Sequence, residues 1–158
     1  MSTTSQQKDN MGYKFGKKSL QKLARCHPDL QKIMKVAISR SKIDFGITEG
    51  YRSIARQKEL FDEGKSKIDG ITKMGKHNYQ PALAADIYIY HPDLETRRKL
   101  AYDKKHLSYV AGLVDAVAEE LFDKGITTKK IRWGANWDSD GIIDYDQSFD
   151  DFPHFELK

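Results

Sequence analysis

The chain closes on Asp151-Phe152-Pro153-His154-Phe155-Glu156-Leu157-Lys158. Chain ends are normally polar and frayed unless something ties them down, and this one carries three large apolar side chains. Pro153 disfavours helix for the residue before it, so the segment reads as extended, entering a short strand. In a strand His154 and Glu156 share one face, while Phe155 and Leu157 take the other. The apolar face would anchor the terminus in a core and aim His154 at a cleft. One histidine cannot make a site, so partners are expected upstream.

Composition narrows the setting. At 158 residues, 39% hydrophobic and 32% charged, the chain suits one ordinary globular domain. No apolar run approaches the roughly 20 residues that span a bilayer, so no stable membrane insertion is expected. The N-terminus lacks the apolar centre of a secretory signal. A lone Cys26 excludes an internal disulfide. The net charge of +4 and pI near 9.0 favour an acidic partner, with nucleic acid, an anionic membrane and a cell-wall polymer all open.

Residues 1–10 are polar and Ser/Gln-rich, the composition of a flexible N-terminal tail, and Met11 could serve as an alternative start. Residues 11–158 form the expected domain. A helical pattern from Leu20 is divided by Pro28. Beyond it Leu30, Ile33, Met34, Ala37 and Ile38 repeat with helical period. Asp44 to Glu49 predicts a strand, and Ser53 an N-cap for a helix ending near Gly64. Lys65 to Lys76 reads as a long surface loop, a length that is often functional. Leu83 to Tyr90 predicts a strand with Asp86, Tyr88 and Tyr90 on one face, the tyrosines lining or supporting a cleft floor. Leu94 to Lys104 predicts a charged helix. Val110, Leu113, Val114, Val117 and Leu121 mark the strongest helix, stopped by Gly125. A short strand from Lys130 to Trp133 and an acidic loop from Asn136 to Asp150 precede the final strand. Without a regular βαβ alternation, the class is α+β, with a small mixed or antiparallel sheet and helices packed on it.

His77, at the end of the long loop, and Asp86, on an otherwise apolar strand, are the best partners for His154. An unpaired carboxylate is costly to bury, and a metal would relieve the cost. Two imidazoles and a carboxylate leave a fourth tetrahedral position for water, the plan of a catalytic zinc site. The separation of His77 and Asp86 is too long for one helix face and is by itself a weak signal. A loop histidine beside a strand-edge charge accounts for it equally well.

Four motifs in order then resemble one family. His77-Asn-Tyr-Gln-Pro-Ala-Leu-Ala-Ala-Asp86, followed by Asp151-Phe-Pro-His154, resembles the paired motifs of zinc D-alanyl-D-alanine carboxypeptidases and phage L-alanoyl-D-glutamate peptidases. Gly50-Tyr51-Arg52-Ser53 with Gln57 is similar to that group's arginine motif, and Trp133-Gly134-Ala135-Asn136-Trp137 to its Trp/Gly segment. The resemblance implies a Hedgehog/DD-peptidase-like fold and a single-domain phage endolysin. It implies zinc ligands at His77, Asp86 and His154, Asp151 as general base, and Arg52 contacting the substrate carbonyl or oxyanion. The implied reaction is hydrolysis of a peptide bond in the peptidoglycan stem peptide, most closely L-alanyl-D-glutamate. The enzyme would work as a monomer, held in the host bacterial cytoplasm until lysis and delivered to the wall with a holin-type partner. Carboxypeptidases of the group commonly carry serine two residues before the first histidine. Gly75 stands there instead, which favours endopeptidase over D-alanyl-D-alanine carboxypeptidase action.

The acidic loop adds a second metal expectation. Asn136, Asp138 and Asp140 fall at positions 1, 3 and 5 of an EF-hand calcium loop, Gly141 at 6 and Asp144 at 9, with Asp146 as a further acid. Asn at position 1 and Gln147 at 12 depart from the pattern, and a solvated acidic hairpin is the alternative. Calcium would order the segment leading into Asp151 and could regulate activity. Two other function classes compete: a non-catalytic zinc-binding module on the same scaffold, and a metal-dependent nuclease. No Gly-rich phosphate loop or helix-turn-helix pattern supports a nucleic-acid role.

Overall fold

Two long helices and a small sheet build the core, and the sheet's other face is left for chemistry. The structure is a computed structural model describing residues 12–136, 141–142 and 151–158. The expected N-terminal tail and most of the acidic loop lie outside the described residues. Helix α1 spans Lys17–Leu23 and α2 spans Pro28–Arg40. Pro28 occupies the first helical turn, where its missing N–H costs nothing, and His27 caps the helix by accepting from Asp29 N–H at 3.0 Å. The periodic residues Leu30, Ile33, Met34, Ala37 and Ile38 are all buried. Strand β1 (Phe45–Glu49) leads through Gly50 into α3 (Ile54–Asp62), capped by the Ser53 hydroxyl.

After the loop a single 3₁₀ turn, Lys76–Asn78, carries His77. Strand β2 (Ala84–Ile89) then enters the sheet. The helix expected from Leu94 to Lys104 ends early, as α4 (Leu94–Leu100), and the strongest helix, marked by Val110 to Leu121, is α5 and starts at Lys104 (Lys104–Asp123). The break is a capping effect: Asp103 takes an extended conformation and its carboxylate accepts from His106 N–H, so α5 starts afresh just past it. His91, like His27, accepts an N–H from two residues on, at 3.1 Å, so both His-Pro-Asp-Leu stretches lead into helix starts. Strands β3 (Ile131–Trp133) and β4 (His154–Leu157) complete the described elements.

The sheet order is β1-β2-β4-β3 and every pairing is antiparallel, which resolves the mixed-or-antiparallel expectation. The chain's last strand is therefore an interior one. Phe155 and Leu157 are buried in the core with Ile87, Ile89, Val110 and Val114. Each such large apolar side chain contributes about 1.5–3 kcal/mol, enough to hold the terminus in place. Helix α2 packs on α5, and α5 on β2 and β3. Among the described residues no helix is long and apolar enough to cross a membrane.

Candidate metal centre

Strand pairing alone brings two of the expected ligands together. Asp86 on β2 and His154 on β4 are direct cross-strand partners, on the face opposite the core, and opposed residues in a sheet have side chains about 5 Å apart. His77 arrives from outside the sheet. Its 3₁₀ turn is tied to the chain after β1: Arg52 N–H donates to the His77 carbonyl at 2.8 Å, and Asn78 Nδ2 donates to the Arg52 carbonyl at 3.0 Å.

The three side chains converge. His154 Nδ1 lies 2.9 Å from Asp86 Oδ1, and His77 Nε2 lies 3.3 Å from both. Among the described residues this is the group of His, Cys, Asp and Glu side chains placed to hold a metal. The outer ring nitrogens decide the tautomers. His77 Nδ1 sits 2.6 Å from the Gly50 carbonyl, which only accepts, so Nδ1 bears the proton and Nε2 is a bare lone pair in the neutral ring. His154 Nε2 sits 2.9 Å from Glu156 Oε1, so it donates there and Nδ1 is bare in turn. Two imidazole lone pairs and a carboxylate oxygen thus face one point.

A metal ion satisfies that arrangement. Zinc at about 2.0–2.1 Å in a tetrahedron separates its ligand atoms by about 3.3 Å, close to the observed spacings. Two nitrogens and one oxygen suit zinc better than calcium or magnesium, which take oxygen ligands. Each histidine also has the outer partner that metal-bound imidazoles usually keep.

Electrostatics of the ion-free site agree. Burial alone would lower the His154 pKa, but hydrogen bonds to Asp86 and Glu156 overcome it and raise it to about 9. Burial pushes Asp86 up, and the two histidines outweigh it and hold the carboxyl far below the ordinary range. Glu156 follows the same pattern: burial opposes ionisation, but His154 and Arg132 lower its pKa to about 2. Arg132 Nη2 lies 2.6 Å from Glu156 Oε2, so a chain of charge runs Arg132–Glu156–His154.

Asp151 stands beside this cluster. Its Oδ2 is 3.9 Å from His154 Nδ1, and burial, with help from the Asp86 charge, raises its pKa against the lowering pull of His154, His77 and Arg52. Its turn is built on Gly134. Gly134 N–H donates to the His154 carbonyl at 2.8 Å, and Asp151 N–H to the Gly134 carbonyl at 3.0 Å. A Cβ at position 134 would collide with the Asp151 backbone carbonyl, so glycine is required by close approach. The Trp133 indole N–H donates to the Phe152 carbonyl at 2.7 Å, which gives that tryptophan a bracing contact.

Arg52 lies at the rim. Its guanidinium pairs with Glu49 and donates from Nη1 to Gln57 Oε1 at 2.9 Å, while its buried Nε–H has no hydrogen-bond partner among the described residues. Gln57 is itself buried and donates to Ser66 Oγ and the Ile68 carbonyl, both at 2.8 Å. It ties the long loop to the arginine. Of the calcium candidates, Asp138, Asp140, Asp144 and Asp146 fall outside the described residues. Asn136 Oδ1 accepts from Gly141 N–H at 3.3 Å.

Sequence reading missed the outer partners. Glu156 had a signal, since it shares a strand face with His154 and sits two residues away. Arg132 follows only from the pairing Arg132↔Glu156, and Gly50 had none, because it acts through a carbonyl every residue possesses.

The chain is similar to the L-alanyl-D-glutamate peptidase of Escherichia phage T5, 29% identical over 131 residues, covering 83% of this chain and 86% of the relative. It is similar to the peptidoglycan L-alanyl-D-glutamate endopeptidase CwlK of Bacillus subtilis (strain 168), 28% identical over 129 residues, covering 78% of this chain and 66% of that protein. The fold is shared with the crystal structure of Serratia marcescens L-Ala D-Glu endopeptidase ChiX, at a TM-score of 0.70 and 24% identity, over 92% of this chain and 90% of that one. The family model of phage L-alanyl-D-glutamate peptidases matches residues 11–158, and the chain belongs to that family.

Proposed function

We propose that residues 11–158 form a zinc-dependent endopeptidase that hydrolyses the L-alanyl-D-glutamate bond of the peptidoglycan stem peptide. The observation that carries the metal is the convergence of three lone pairs, from His77 Nε2, His154 Nδ1 and Asp86 Oδ1, on one point. These three residues hold the zinc. A zinc ion bound there supplies Lewis-acid chemistry and brings the pKa of water down towards about 7.

The chain's own residues do the rest. Asp151, buried enough to favour proton uptake and near enough to His154 to reach the same space, takes the proton of the attacking water and returns it to the leaving amine. Glu49 and Gln57 fix the Nη groups of Arg52. The guanidinium so placed offers fixed positive charge to the substrate carbonyl as negative charge develops on it.

Digestion of purified peptidoglycan, followed by mass spectrometry of the fragments, tests activity and bond together. Fragments with new L-alanine C-termini and D-glutamate N-termini are expected. Release of terminal D-alanine alone would replace this reading with a carboxypeptidase. Asp151→Asn should lower kcat by about 10²–10⁴-fold while the bound metal, measured by elemental analysis, stays stoichiometric. A non-catalytic zinc module would show no cleavage in either form.

A further inference from the structure

The open face of the sheet continues past the metal centre. Asp86, Tyr88 and Tyr90 alternate onto one side of the chain at β2, successive members about 6–7 Å apart. Opposite Tyr88 stands Gly46, where a Cβ would come within 2.6 Å of the tyrosine ring. The ring packs into the place that a side chain at residue 46 would take. A groove of about 410 Å³ begins there, lined by Tyr88, Tyr90, Asp44 and the lysines Lys14, Lys17 and Lys18. The three lysines are exposed, and none forms an ion pair among the described residues. Three lysines and one aspartate line the groove beside the Tyr88 ring, while the Arg97 guanidinium lies over the Tyr90 ring at 4.8 Å from its centre.

We infer that this groove is a substrate subsite that binds the carboxylate-bearing part of the stem peptide, two to four residues away from the bond cut at the metal centre. The spacing follows from the strand. An extended peptide rises about 3.3 Å per residue, and Tyr88 and Tyr90 lie about 7 and 13 Å along β2 from Asp86. The charge is the second argument: the glutamyl side of the cleaved bond brings carboxylates, and the lysines supply the complementary sign. The inference rests on the peptidase reading for the peptide's identity and on the groove's own charge for its location.

The test compares the wild-type, metal-loaded protein with Lys14→Gln/Lys17→Gln/Lys18→Gln, whose exposed substitutions should leave circular dichroism and melting temperature unchanged. Two substrates are used: N-acetyl-L-alanyl-D-glutamate, which reaches only the metal centre, and a synthetic stem pentapeptide. The triple variant should raise KM for the pentapeptide about tenfold, leave kcat within about twofold and leave the dipeptide kinetics unchanged. The salt dependence of the wild-type KM should flatten with it. An unchanged KM for the pentapeptide, or an equal loss on both substrates, would overturn the subsite. Calorimetric binding of the peptide fragment that begins at D-glutamate separates this from the reaction itself. Lysine-dependent binding by a protein that cleaves neither substrate would sink the peptidase reading and keep the groove. Intact cleavage with lysine-independent binding would sink the groove alone. A glycerol-phosphate polymer that binds through the same lysines while the peptide does not would also overturn the peptide assignment.

Discussion

His154 and His77 turn bare nitrogens to the same point, yet they are supported in opposite ways. His154 lies on an interior strand, and its outer nitrogen donates to Glu156, a buried carboxylate itself held by Arg132. His77 lies on a short turn after a long loop, and its outer nitrogen donates to the Gly50 carbonyl. One support is ionic, titratable and made of side chains. The other is neutral, made of backbone, and set by how closely Gly50 packs on Cys26 and the Lys22 carbonyl. The difference teaches that the two proposed ligands answer to different perturbations: charge and pH act through His154, whereas chain packing acts through His77.

The largest effect comes from removing the better-supported ligand. His154→Ala deletes one of the three proposed metal-binding atoms and a residue that faces three carboxylates. Activity should fall by about 10³-fold or more, with metal lost on dialysis; retention of both would break the site assignment.

Next comes pH acting on the ion-free protein. His154 has a folded pKa of about 9 against about 6.5 unfolded. A raised pKa contributes stability that is complete below the unfolded value and lost as pH climbs through the folded one. Chelator-treated protein should therefore lose on the order of 3 kcal/mol between pH 6.5 and 9. Urea denaturation at several pH values measures this, and a flat profile would remove the charge chain from the comparison.

Glu156→Ala attacks the ionic support without touching a ligand. Zinc affinity should drop about 10–100-fold in a competition titration with a chromophoric chelator. Glu156→Gln, whose amide oxygen still accepts from His154, should lose less. Gly50→Ala probes the backbone support. Its Cβ would meet Cys26 Sγ at 2.7 Å and the Lys22 carbonyl oxygen at 2.8 Å. Backbone cannot move aside cheaply, so overpacking should cost about 1–3 kcal/mol of stability, with a smaller loss of zinc affinity than Glu156→Ala. A larger loss would reverse the ranking of the two supports.

Much of this centre was legible in the chain because its parts follow local rules. Alternation around Pro153 placed His154 and Glu156 on one strand face. The isolated acid among apolar neighbours singled out Asp86, and the paired motifs added His77, Asp151 and Arg52. Only the boundary between α4 and α5 was misplaced, by reading the charged pattern through to Lys104 and passing over Asp103 as an N-cap. Local rules could not reveal Arg132, whose partner Glu156 lies far along the chain.

Residue chemistry and short-range period were enough to specify which atoms could bind a metal and which strand faces would carry them, because a side chain's donor set and its alternation along a strand are properties of the local chain. Assembly was decided elsewhere. Only the antiparallel pairing of β2 with β4 puts Asp86 against His154, and only the contact of the 3₁₀ turn with Gly50 and Arg52 swings His77 to within 3.3 Å of both. Those contacts join residues dozens of positions apart, and their geometry comes from burial of the shared core rather than from any single segment's preference.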